Sequence, residues 1–324
     1  MIRIGIVGIG GIGTVHYDNY LHIKDCKVIA AVCHSAQSKE KARELKLVPY
    51  DDITSMVENE NIDVIDICTP TYLHKQHVIE SLNAGKDVFV EKPMALHRKD
   101  AEEMFNLAEE KNLFLFVGQV VRFAYESQLL SKIIKSGKYG KPLDGYFERI
   151  SGRPKWVKDG WLFDKKKSGL LPFDLHVHDL DLIISLFGKP DGYTFTSSGR
   201  DEVNYKEHYR FNYIFGDLNV TAEAAWFNAD YPLKARWRIY CENGVIENDG
   251  KHVTIYRPDV EPLYYQQEEE VSVSTDINLP ATGMFYNELS HFISCIERGT
   301  PSEIIGRDQI ITGIEIMDEI LNNV

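Results

Sequence analysis

A glycine pattern between a short strand and a helix, at the start of the chain, most constrains how this sequence can fold. Residues 2–7 are mostly apolar, as in a buried strand, and Gly8, Gly10 and Gly13 follow in the order G-x-G-x-x-G before a helical pattern. The first glycine permits a tight turn, the second lets the backbone approach a pyrophosphate, and the third allows close helix–strand packing. The phosphates would lie at the helix N-terminus. We therefore predict a dinucleotide-binding turn that includes Gly8, Gly10, Ile12 and Gly13.

Strands and helices continue to alternate as far as residue 118. Helical patterns separate short apolar runs, typical of buried parallel strands, at residues 27–33, 62–68, 88–90 and 113–118. The alternation predicts an α/β fold with a parallel, doubly wound sheet. Right-handed crossovers then place the carboxyl ends of all these strands on one rim, where such sheets bind their ligands.

The pattern changes after residue 120. Extended segments, separated in part by Asn-Gly and Asp-Gly turns, are expected at residues 143–152, 193–199, 205–215, 218–227, 234–241 and 251–257. Aromatic residues alternate along the third of these segments, as in a sheet with one covered face. Two helices are expected at residues 283–297 and 307–322. We predict a doubly wound domain at residues 1–120. Residues 121–324 are predicted to form an α+β domain with a large, mostly antiparallel open sheet. The C-terminal helix is expected to pack back on the first domain.

Polar residues follow the ends of the predicted parallel strands. They are Thr69, Pro70 and His74 after one strand, Glu91 and Lys92 after the next, and Gln119 after the last. Pro93 cannot donate to a sheet ladder, so it ends its strand and bends the chain away. Alone, Glu91 and Lys92 could be a solvated charge pair. Their position on the same rim as the glycine turn favours a ligand site.

The end of the second predicted strand carries no acid. NAD-binding domains usually place a carboxylate there, about 20 residues after the glycines, where it binds the ribose 2′-hydroxyl. This sequence has His34 at that place, followed by Ser35 and, one helical turn later, Lys39. The three side chains could bind a 2′-phosphate, or His34 could lie beside the adenine of NAD. Both NAD and NADP therefore remain open.

One segment of the second domain departs from the strand pattern. Pro172 and Gly188 bracket a predicted helix on which Asp174, His178 and Asp181 share one face. A carboxylate one turn from a histidine orients the imidazole and raises its basicity. The alternatives are a buried structural pair and a metal site.

The spacing of the histidines in this segment argues against a metal. His176 and His178 would point about 200° apart on an α-helix, so they converge only if the segment is not helical. We expect no metal, and we expect His176 to be a packed histidine or one that supports the site from behind.

Composition restricts the class of protein. The 324 residues, 44% hydrophobic and 26% charged, are typical of a soluble globular chain long enough for two domains. A net charge of −13 argues against a nucleic-acid or anionic-membrane partner. The five cysteines show no zinc-binding spacing, which fits a reducing compartment. With no signal peptide or membrane-spanning run in the sequence, we expect a cytoplasmic protein.

The motifs together resemble the Gfo/Idh/MocA family, which includes glucose–fructose oxidoreductase and inositol 2-dehydrogenase. The resemblance covers essentially the whole chain and rests on the glycine turn, Thr69-Pro70-x-x-x-His74, Glu91-Lys92-Pro93, and Asp174, His178 and Asp181 in a D-x-x-x-H-x-x-D frame. It implies a Rossmann domain and an α/β domain whose open sheet often mediates homo-dimers or homo-tetramers. It also implies NAD(P)-dependent oxidation or reduction of a sugar, polyol or related carbohydrate.

The resemblance also implies roles for individual residues. The catalytic residues would be Lys92, Asp174 and His178. The cofactor site would include Thr69, Pro70, His74, Glu91, Lys92 and Gln119, in addition to the glycine turn, His34 and Ser35. The sequence departs from the family pattern at His34, which replaces the common acid, and at His176, which stands where a small residue is frequent.

A hydride-transfer mechanism follows as a hypothesis. His178 would take the hydroxyl proton, with Asp174 fixing its tautomer, and Lys92 would polarise the substrate oxygen or act as a relay base. Further residues that could contact substrate are Arg122, Tyr125, Arg153 and Trp161.

Two other functions fit the same fold. A non-catalytic sensor of dinucleotide and sugar would not need the three catalytic residues, and their presence favours an enzyme. A dehydrogenase or reductase acting on a non-carbohydrate ring remains open, because sequence does not show which residues face the pocket.

Overall fold

The computed structural model describes residues 1–157, 160–266, 271–275, 277 and 281–323. The strands in chain order are β1 Ile2–Val7, β2 Cys26–Val32, β3 Val48–Tyr50, β4 Val64–Ile67, β5 Asp87–Val90, β6 Leu115–Val117, β7 Pro142–Gly152, β8 Gly192–Ser198, β9 His208–Phe215, β10 Leu218–Phe227, β11 Lys234–Cys241, β12 Gly244–Asn248, β13 Val253–Arg257 and β14 Val260–Tyr265.

The α-helices in chain order are α1 Gly11–Tyr20, α2 Ala36–Glu44, α3 Ile53–Asn59, α4 Thr71–Asn83, α5 Arg98–Lys111, α6 Tyr125–Ser136, α7 Lys165–Ser168, α8 Val177–Phe187, α9 Met284–Arg298 and α10 Arg307–Asn322. Two 3₁₀ turns occur at Val120–Phe123 and Trp161–Phe163, and a π-helical turn at Pro172–His176 leads into α8. Within the described residues, no helix is long and apolar enough to cross a bilayer.

The chain divides into two compact units. The first consists of Met1–Phe123 and Glu269–Ile314, and the second of Ala124–Glu268 and Glu315–Val324. Each unit contains one sheet.

The first unit contains a six-stranded parallel sheet in the order β3-β2-β1-β4-β5-β6. This is the strand order of dinucleotide-binding folds, and it confirms the predicted doubly wound sheet. β3 is not apparent in the sequence because it is short and has Pro49 at its centre. Proline is tolerated there because β3 is an edge strand, which leaves one side of its backbone unpaired.

The core of the first unit joins the sheet to α9. Ile4 and Ile6 of β1, Phe89 of β5 and Phe292 of α9 are all buried in one cluster. The rings of Phe89 and Phe292 lie 5.2 Å apart, within the range of favourable aromatic pairs. Burying each such side chain stabilises the fold by about 1.5–3 kcal/mol. The apolar stripe of α9, which the sequence left without a partner, therefore packs on the parallel sheet.

The second unit contains an eight-stranded sheet in the order β14-β13-β12-β11-β7-β10-β9-β8. Only the central pair of β7 and β10 is parallel, which confirms a mostly antiparallel sheet. Sequence patterns do not reveal β12, which is a short strand between two hairpin turns, or β14, which contains Pro262. β14 is again an edge strand, where proline is tolerated.

The aromatic alternation along β9 forms the core of the second unit. Tyr209, Phe211 and Tyr213 are buried on one face, whereas Arg210 and Ile214 are exposed on the other. The ring of Phe211 lies 5.5 Å from that of Tyr209 and 6.3 Å from that of Tyr213. The sheet therefore has one covered face, as the alternation predicts.

Candidate active site

The glycine turn leaves Gly10 exposed at the N-terminus of α1. Gly8 has a φ of +96°, in the region that favours glycine, and a Cβ on Gly13 would lie 2.0 Å from the Gly8 carbonyl oxygen. Gly10 is the N-cap of α1, and among the described residues no atom lies within 4 Å of a Cβ built there. Ile12 is half-buried and packs on the core. The free approach to this helix N-terminus fits the pyrophosphate of a dinucleotide.

Two further loops of the predicted rim are joined by His74. A Cβ on Gly8 would lie 3.0 Å from Thr69 Cγ2, so the glycine turn and the Thr69 turn are neighbours. Pro70, the next residue, is the N-cap of α4. His74 Nε2 lies 2.7 Å from the Thr69 carbonyl, and Nδ1 lies 2.9 Å from the carbonyl of Pro93, whose preceding peptide bond is cis. Burial lowers the pKa of His74, and hydrogen bonds to the two carbonyl oxygens, which can only accept, oppose this effect. His74 thereby holds the backbone that follows Lys92.

Glu91 is held through both carboxylate oxygens. Its Oε2 accepts the backbone N–H of Lys92 at 3.1 Å, and its Oε1 lies 3.0 Å from His16 Nε2. The other ring nitrogen of His16, Nδ1, lies 2.9 Å from Asp66 Oδ2. Since both partners are carboxylate oxygens, both ring nitrogens donate and the imidazole is protonated. The side chains of His16 and Asp66 are fully buried.

Charge within this cluster outweighs burial. Burial by itself would lower the pKa of His16, but the neighbouring Cys68 and Asp66 raise it well above its usual value. For Glu91, burial would raise the pKa, and the hydrogen bond and charge of His16 overcome this effect, so the pKa is lowered. Burial and the charge of Asp66 raise the pKa of the Cys68 thiol, which therefore stays protonated. The result is an ion pair between His16 and Glu91 directly behind Lys92.

Two more buried polar groups lie beside Glu91. A Cβ on Gly118 would lie 3.0 Å from Glu91 Oε1, which places the loop of Gln119 against this carboxylate. Gln119 is 5% exposed, and its Oε1 has no hydrogen-bond partner among the described residues. Glu288 of α9 is 1% exposed, and the backbone of Gln119 lies within hydrogen-bonding reach of its carboxyl group. Burial, followed by the charge of Glu91, raises the pKa of Glu288 well above its usual value, so it is a neutral acid.

The sequence analysis missed His16, Asp66 and Glu288, although a signal for two of them exists. His16 lies three residues after Gly13 on the face of α1 that packs on the sheet, and Asp66 stands in the middle of the apolar strand β4. A titratable residue at a position otherwise expected to be apolar indicates a buried partner. The partners of His16 lie 50 and 75 positions away in the chain, so its neighbours in sequence do not identify them.

His16, Asp66 and Cys68 are close enough to raise the question of a metal. Among the described residues, these three bring their potential ligand atoms within 4.8 Å of one another. Hydrogen bonds explain the distances, because Cys68 Sγ lies 3.3 Å from His16 Nδ1 and 3.4 Å from Asp66 Oδ1. We propose no metal in this cluster.

The end of β2 lies beside the Thr69 turn. The exposed ring of His34 stacks on that of His77 with centroids 6.2 Å apart, and His77 Nδ1 lies 3.1 Å from Thr69 Oγ1. Burial, followed by the charges of His34 and His74, lowers the pKa of His77 to about 4. Ser35 Oγ accepts the N–H of Ser38 and caps α2. The predicted cofactor residues on β2 and β4 are therefore neighbours.

In the second unit, the segment predicted as one α-helix begins with a π-helical turn. Asp174 lies in the π-turn, whereas His178 and Asp181 lie in α8. The turn follows Gly169 and Leu170, which have φ values of +72° and +61°. A non-glycine residue in this region is uncommon, and π-turns occur frequently at functional sites. The assumption of regular α-helical spacing was therefore wrong for the first turn.

His176 is a packed histidine, as predicted. It is 0% exposed, its ring stacks on Phe211 with centroids 3.8 Å apart, and its Nε2 lies 2.7 Å from the Tyr213 hydroxyl. Burial, followed by the charge of Arg149, lowers the pKa of His176 to about 3. Arg149 also forms an ion pair with buried Asp179, with Nη2 2.8 Å from Oδ1. Asp179 is a further buried acid of α8 that the sequence analysis did not assign.

The four residues considered for substrate contact have different surroundings. In the first unit, Arg122 is 5% exposed, and its Nη1 donates to the Ile304 carbonyl at 2.6 Å. In the second unit, the Arg153 guanidinium lies 4.0 Å from the ring centre of Phe163. Tyr125, at the start of α6, and Trp161, in the second 3₁₀ turn, are both half-buried. Arg122 thus contributes to the internal structure of its unit, and none of the four gains a demonstrated substrate role.

Family models match both parts of the chain. The model described as "Oxidoreductase family, NAD-binding Rossmann fold" matches residues 2–119, and that of the "GFO/IDH/MocA C-terminal domain" matches residues 127–247. Together they cover more than half of the chain.

Individual proteins agree with these matches. The 2,7-anhydro-N-acetylneuraminate hydratase of Escherichia coli K12 is 30% identical over 189 residues, which are 58% of this chain and 50% of the relative. The myo-inositol 2-dehydrogenase of Thermotoga maritima is 30% identical over 193 residues, 58% of this chain and 55% of the relative. The chain thus spans about half the length of these curated relatives.

A solved structure extends the likeness of the fold to both units. A levoglucosan dehydrogenase in complex with NADH and levoglucosan has a TM-score of 0.85 and 17% identity, and the match covers 99% of this chain and 96% of that one. At this identity the likeness shows the fold alone. With both family models matched, the chain is a member of the Gfo/Idh/MocA oxidoreductase family.

Proposed function

We propose that this chain is an NAD(P)-dependent oxidoreductase that moves hydride between nicotinamide and a secondary alcohol or ketone of a sugar, polyol or related carbohydrate. The observation that carries the proposal is a single rim with an open glycine turn and a lysine whose backbone is fixed by a buried ion pair. The names of the relatives support the substrate class, since they refer to a polyol, myo-inositol, and to anhydro-sugars.

In this proposal Lys92 hydrogen-bonds to the reacting oxygen of the substrate. Glu91 holds the Lys92 backbone N–H, and His74 holds the carbonyl of the next residue, Pro93, so the side chain extends from a fixed base. An ammonium group only donates, so it polarises a carbonyl or hydroxyl oxygen as charge develops there. The nicotinamide, when bound, supplies or accepts the hydride.

His178 is the proposed proton carrier. An imidazole titrates near neutral pH, so His178 can take the hydroxyl proton during oxidation and return it during reduction. Asp174, in the π-turn that leads into α8, is proposed to orient the ring.

The test is turnover of a panel of polyols and sugars with NAD⁺ and with NADP⁺, followed by nicotinamide absorbance. We expect Lys92→Ala and His178→Ala to lower kcat by about 10²–10⁴-fold, the usual contribution of acid–base groups. The Kd of NADH, measured by fluorescence, should change far less. His22→Ala, which removes an exposed histidine, is the matched control and should leave kcat unchanged.

Near-full turnover by either the Lys92 or the His178 variant would contradict the assignment of that residue. Binding of dinucleotide without turnover of any substrate would instead support a sensor.

We also propose that the protein is a cytoplasmic homo-dimer or homo-tetramer without a nucleic-acid or membrane partner. The open face of the eight-stranded sheet supports self-association, because Tyr240, Tyr256 and Tyr264 are 47%, 42% and 72% exposed there and lie on one face by strand register. All five cysteines are free and buried, as expected in a reducing compartment. Light scattering after size-exclusion chromatography gives the mass, which Tyr256→Asp should lower.

A further inference from the structure

The acid that is missing at the end of β2 is supplied by the neighbouring strand. β2 pairs in parallel with β3, with Val32 opposite Tyr50, and the N–H of Cys33 donates to the Tyr50 carbonyl at 2.8 Å. The residue after Tyr50 is Asp51, so its carboxylate emerges on the rim next to Cys33 and one residue from His34. Its side chain is 77% exposed. A carboxylate thus lies at the adenosine end of the rim, although β2 itself provides none.

The basic groups near this position are already paired. Lys39 Nζ forms an ion pair with Asp51, and Arg43, one turn later on α2, pairs with Glu40 at 3.1 Å. Ser35 is occupied as the N-cap of α2, in a reciprocal capping box with Ser38. These side chains therefore present no excess positive charge to a 2′-phosphate.

We propose that Asp51 makes this chain select NAD(H) over NADP(H). The inference rests on the proposed function, because it assumes that a dinucleotide binds at the glycine turn. A carboxylate at this end of the rim accepts hydrogen bonds from the ribose hydroxyls of NAD and repels the two negative charges of a 2′-phosphate. Lys39 is a positioning residue that holds the Asp51 carboxylate. Because the Lys39 ammonium group is engaged in this ion pair, it does not attract the phosphate. The specificity residue thus follows β3 rather than β2.

The experiment compares the affinities of NADH and NADPH for the full-length protein without substrate, by fluorescence titration. We expect the wild type to bind NADH at least about tenfold more tightly than NADPH, since a like charge is then desolvated beside the phosphate. Asp51→Asn should reduce this ratio by about tenfold, mainly through tighter NADPH binding. The wild-type ratio should also decrease with ionic strength, because an exposed charge is screened by salt.

Two further variants separate the proposal from its alternatives. Glu58→Gln removes one exposed charge from the far end of α3 and should leave the ratio within about twofold. Lys39→Gln exposes the Asp51 charge and should weaken NADPH further without weakening NADH. A wild type that prefers NADPH and loses this preference in Lys39→Gln would show that Lys39 binds the phosphate, which would overturn the proposal.

Equal affinities of the wild type for NADH and NADPH would also overturn the proposal. So would an Asp51→Asn variant whose preference for NADH over NADPH equals that of Glu58→Gln. If neither dinucleotide binds, this inference fails together with the cofactor part of the proposed function. If the Asp51→Asn ratio shifts but no polyol or sugar is turned over, the inference stands and the proposed reaction fails.

Discussion

Each unit of the molecule contains a histidine that is 0% exposed, and the surroundings of the two rings differ. In the first unit, His16 lies between the carboxylates of Asp66 and Glu91, and its pKa is raised. In the second unit, His176 stacks on Phe211 and contacts the hydroxyl of Tyr213, and burial lowers its pKa to about 3. His16 is therefore an imidazolium in an ion-pair network, whereas His176 is a neutral aromatic ring in an apolar core.

The difference shows that burial alone does not decide the charge of a histidine. Burial disfavours the charged form of both residues, but the charges and hydrogen bonds of Cys68 and Asp66 overcome this effect for His16. Among the described residues, Arg149 is the charged group that shifts the pKa of His176, and its like charge lowers that pKa further than burial does alone. Mutation of the two residues should therefore have different consequences for stability and for its pH dependence.

The largest effect is expected for His16→Leu. The substitution leaves Asp66 and Glu91 buried without their shared cation, and removing one partner of a buried ion pair destabilises proteins by about 3–5 kcal/mol. Urea unfolding at pH 7 measures the loss. His22→Leu, on the exposed turn after α1, is the control and should change the free energy of unfolding by less than about 0.5 kcal/mol. Equal losses in the two variants would show that the His16 network contributes no stability.

His176→Phe should have a smaller effect at pH 7. The ring stack with Phe211 is kept, but the Tyr213 hydroxyl loses its partner, which costs about 1–3 kcal/mol. In His176→Phe/Tyr213→Phe the hydroxyl is also removed, so the double variant should be more stable than His176→Phe alone. A double variant that loses the sum of the two single losses would contradict this account.

The pH dependence of the His176 variant follows from the lowered pKa. Because the folded pKa is about 3, below the unfolded value of about 6.5, neutral His176 contributes stability above pH 6.5 that is lost as the pH falls toward 3. The wild type should lose about 2 kcal/mol from this residue between pH 7 and pH 5. The difference in the free energy of unfolding between wild type and His176→Phe should therefore decrease by that amount from pH 7 to pH 5. A difference that stays constant over this range would exclude a neutral buried His176.

The smallest effect is expected for Glu288→Gln, which tests the neutral acid beside the His16 network. The folded pKa of Glu288 is raised, so its protonated form gives full stability below about pH 4.5, and this stability is lost as the pH rises through the folded value. Glutamine does not titrate. The variant should therefore gain stability relative to the wild type as the pH rises from 5 to 8.

The matched control for that measurement is Glu297→Gln, an exposed position on the same helix, α9, which should show no such gain. A Glu288→Gln variant that loses stability with rising pH as the wild type does would contradict the neutral-acid assignment.

Much of the fold could be predicted from sequence because its signals are local. The strand and glycine turn at residues 2–13, the apolar runs of the parallel sheet and the aromatic alternation along β9 each lie within a few neighbouring residues. The two edge strands β3 and β14 could not be predicted, because each is interrupted by a proline that only an edge position tolerates. The π-turn at Pro172–His176 was hidden for a similar reason, since its residues suit an α-helix equally well.

The sequence by itself determined the family, the fold class and the positions of Lys92, Asp174 and His178 in their motifs, because each motif is a short pattern with a local physical meaning. Only the tertiary structure decided which polar groups meet. It placed Asp66 and Glu91, which lie 50 and 75 residues from His16, on the two nitrogens of that ring. It also brought Asp51, which follows the unpredicted strand β3, to the end of β2. Charge and burial at such contacts depend on neighbours that are distant in the chain, so no local pattern encodes them.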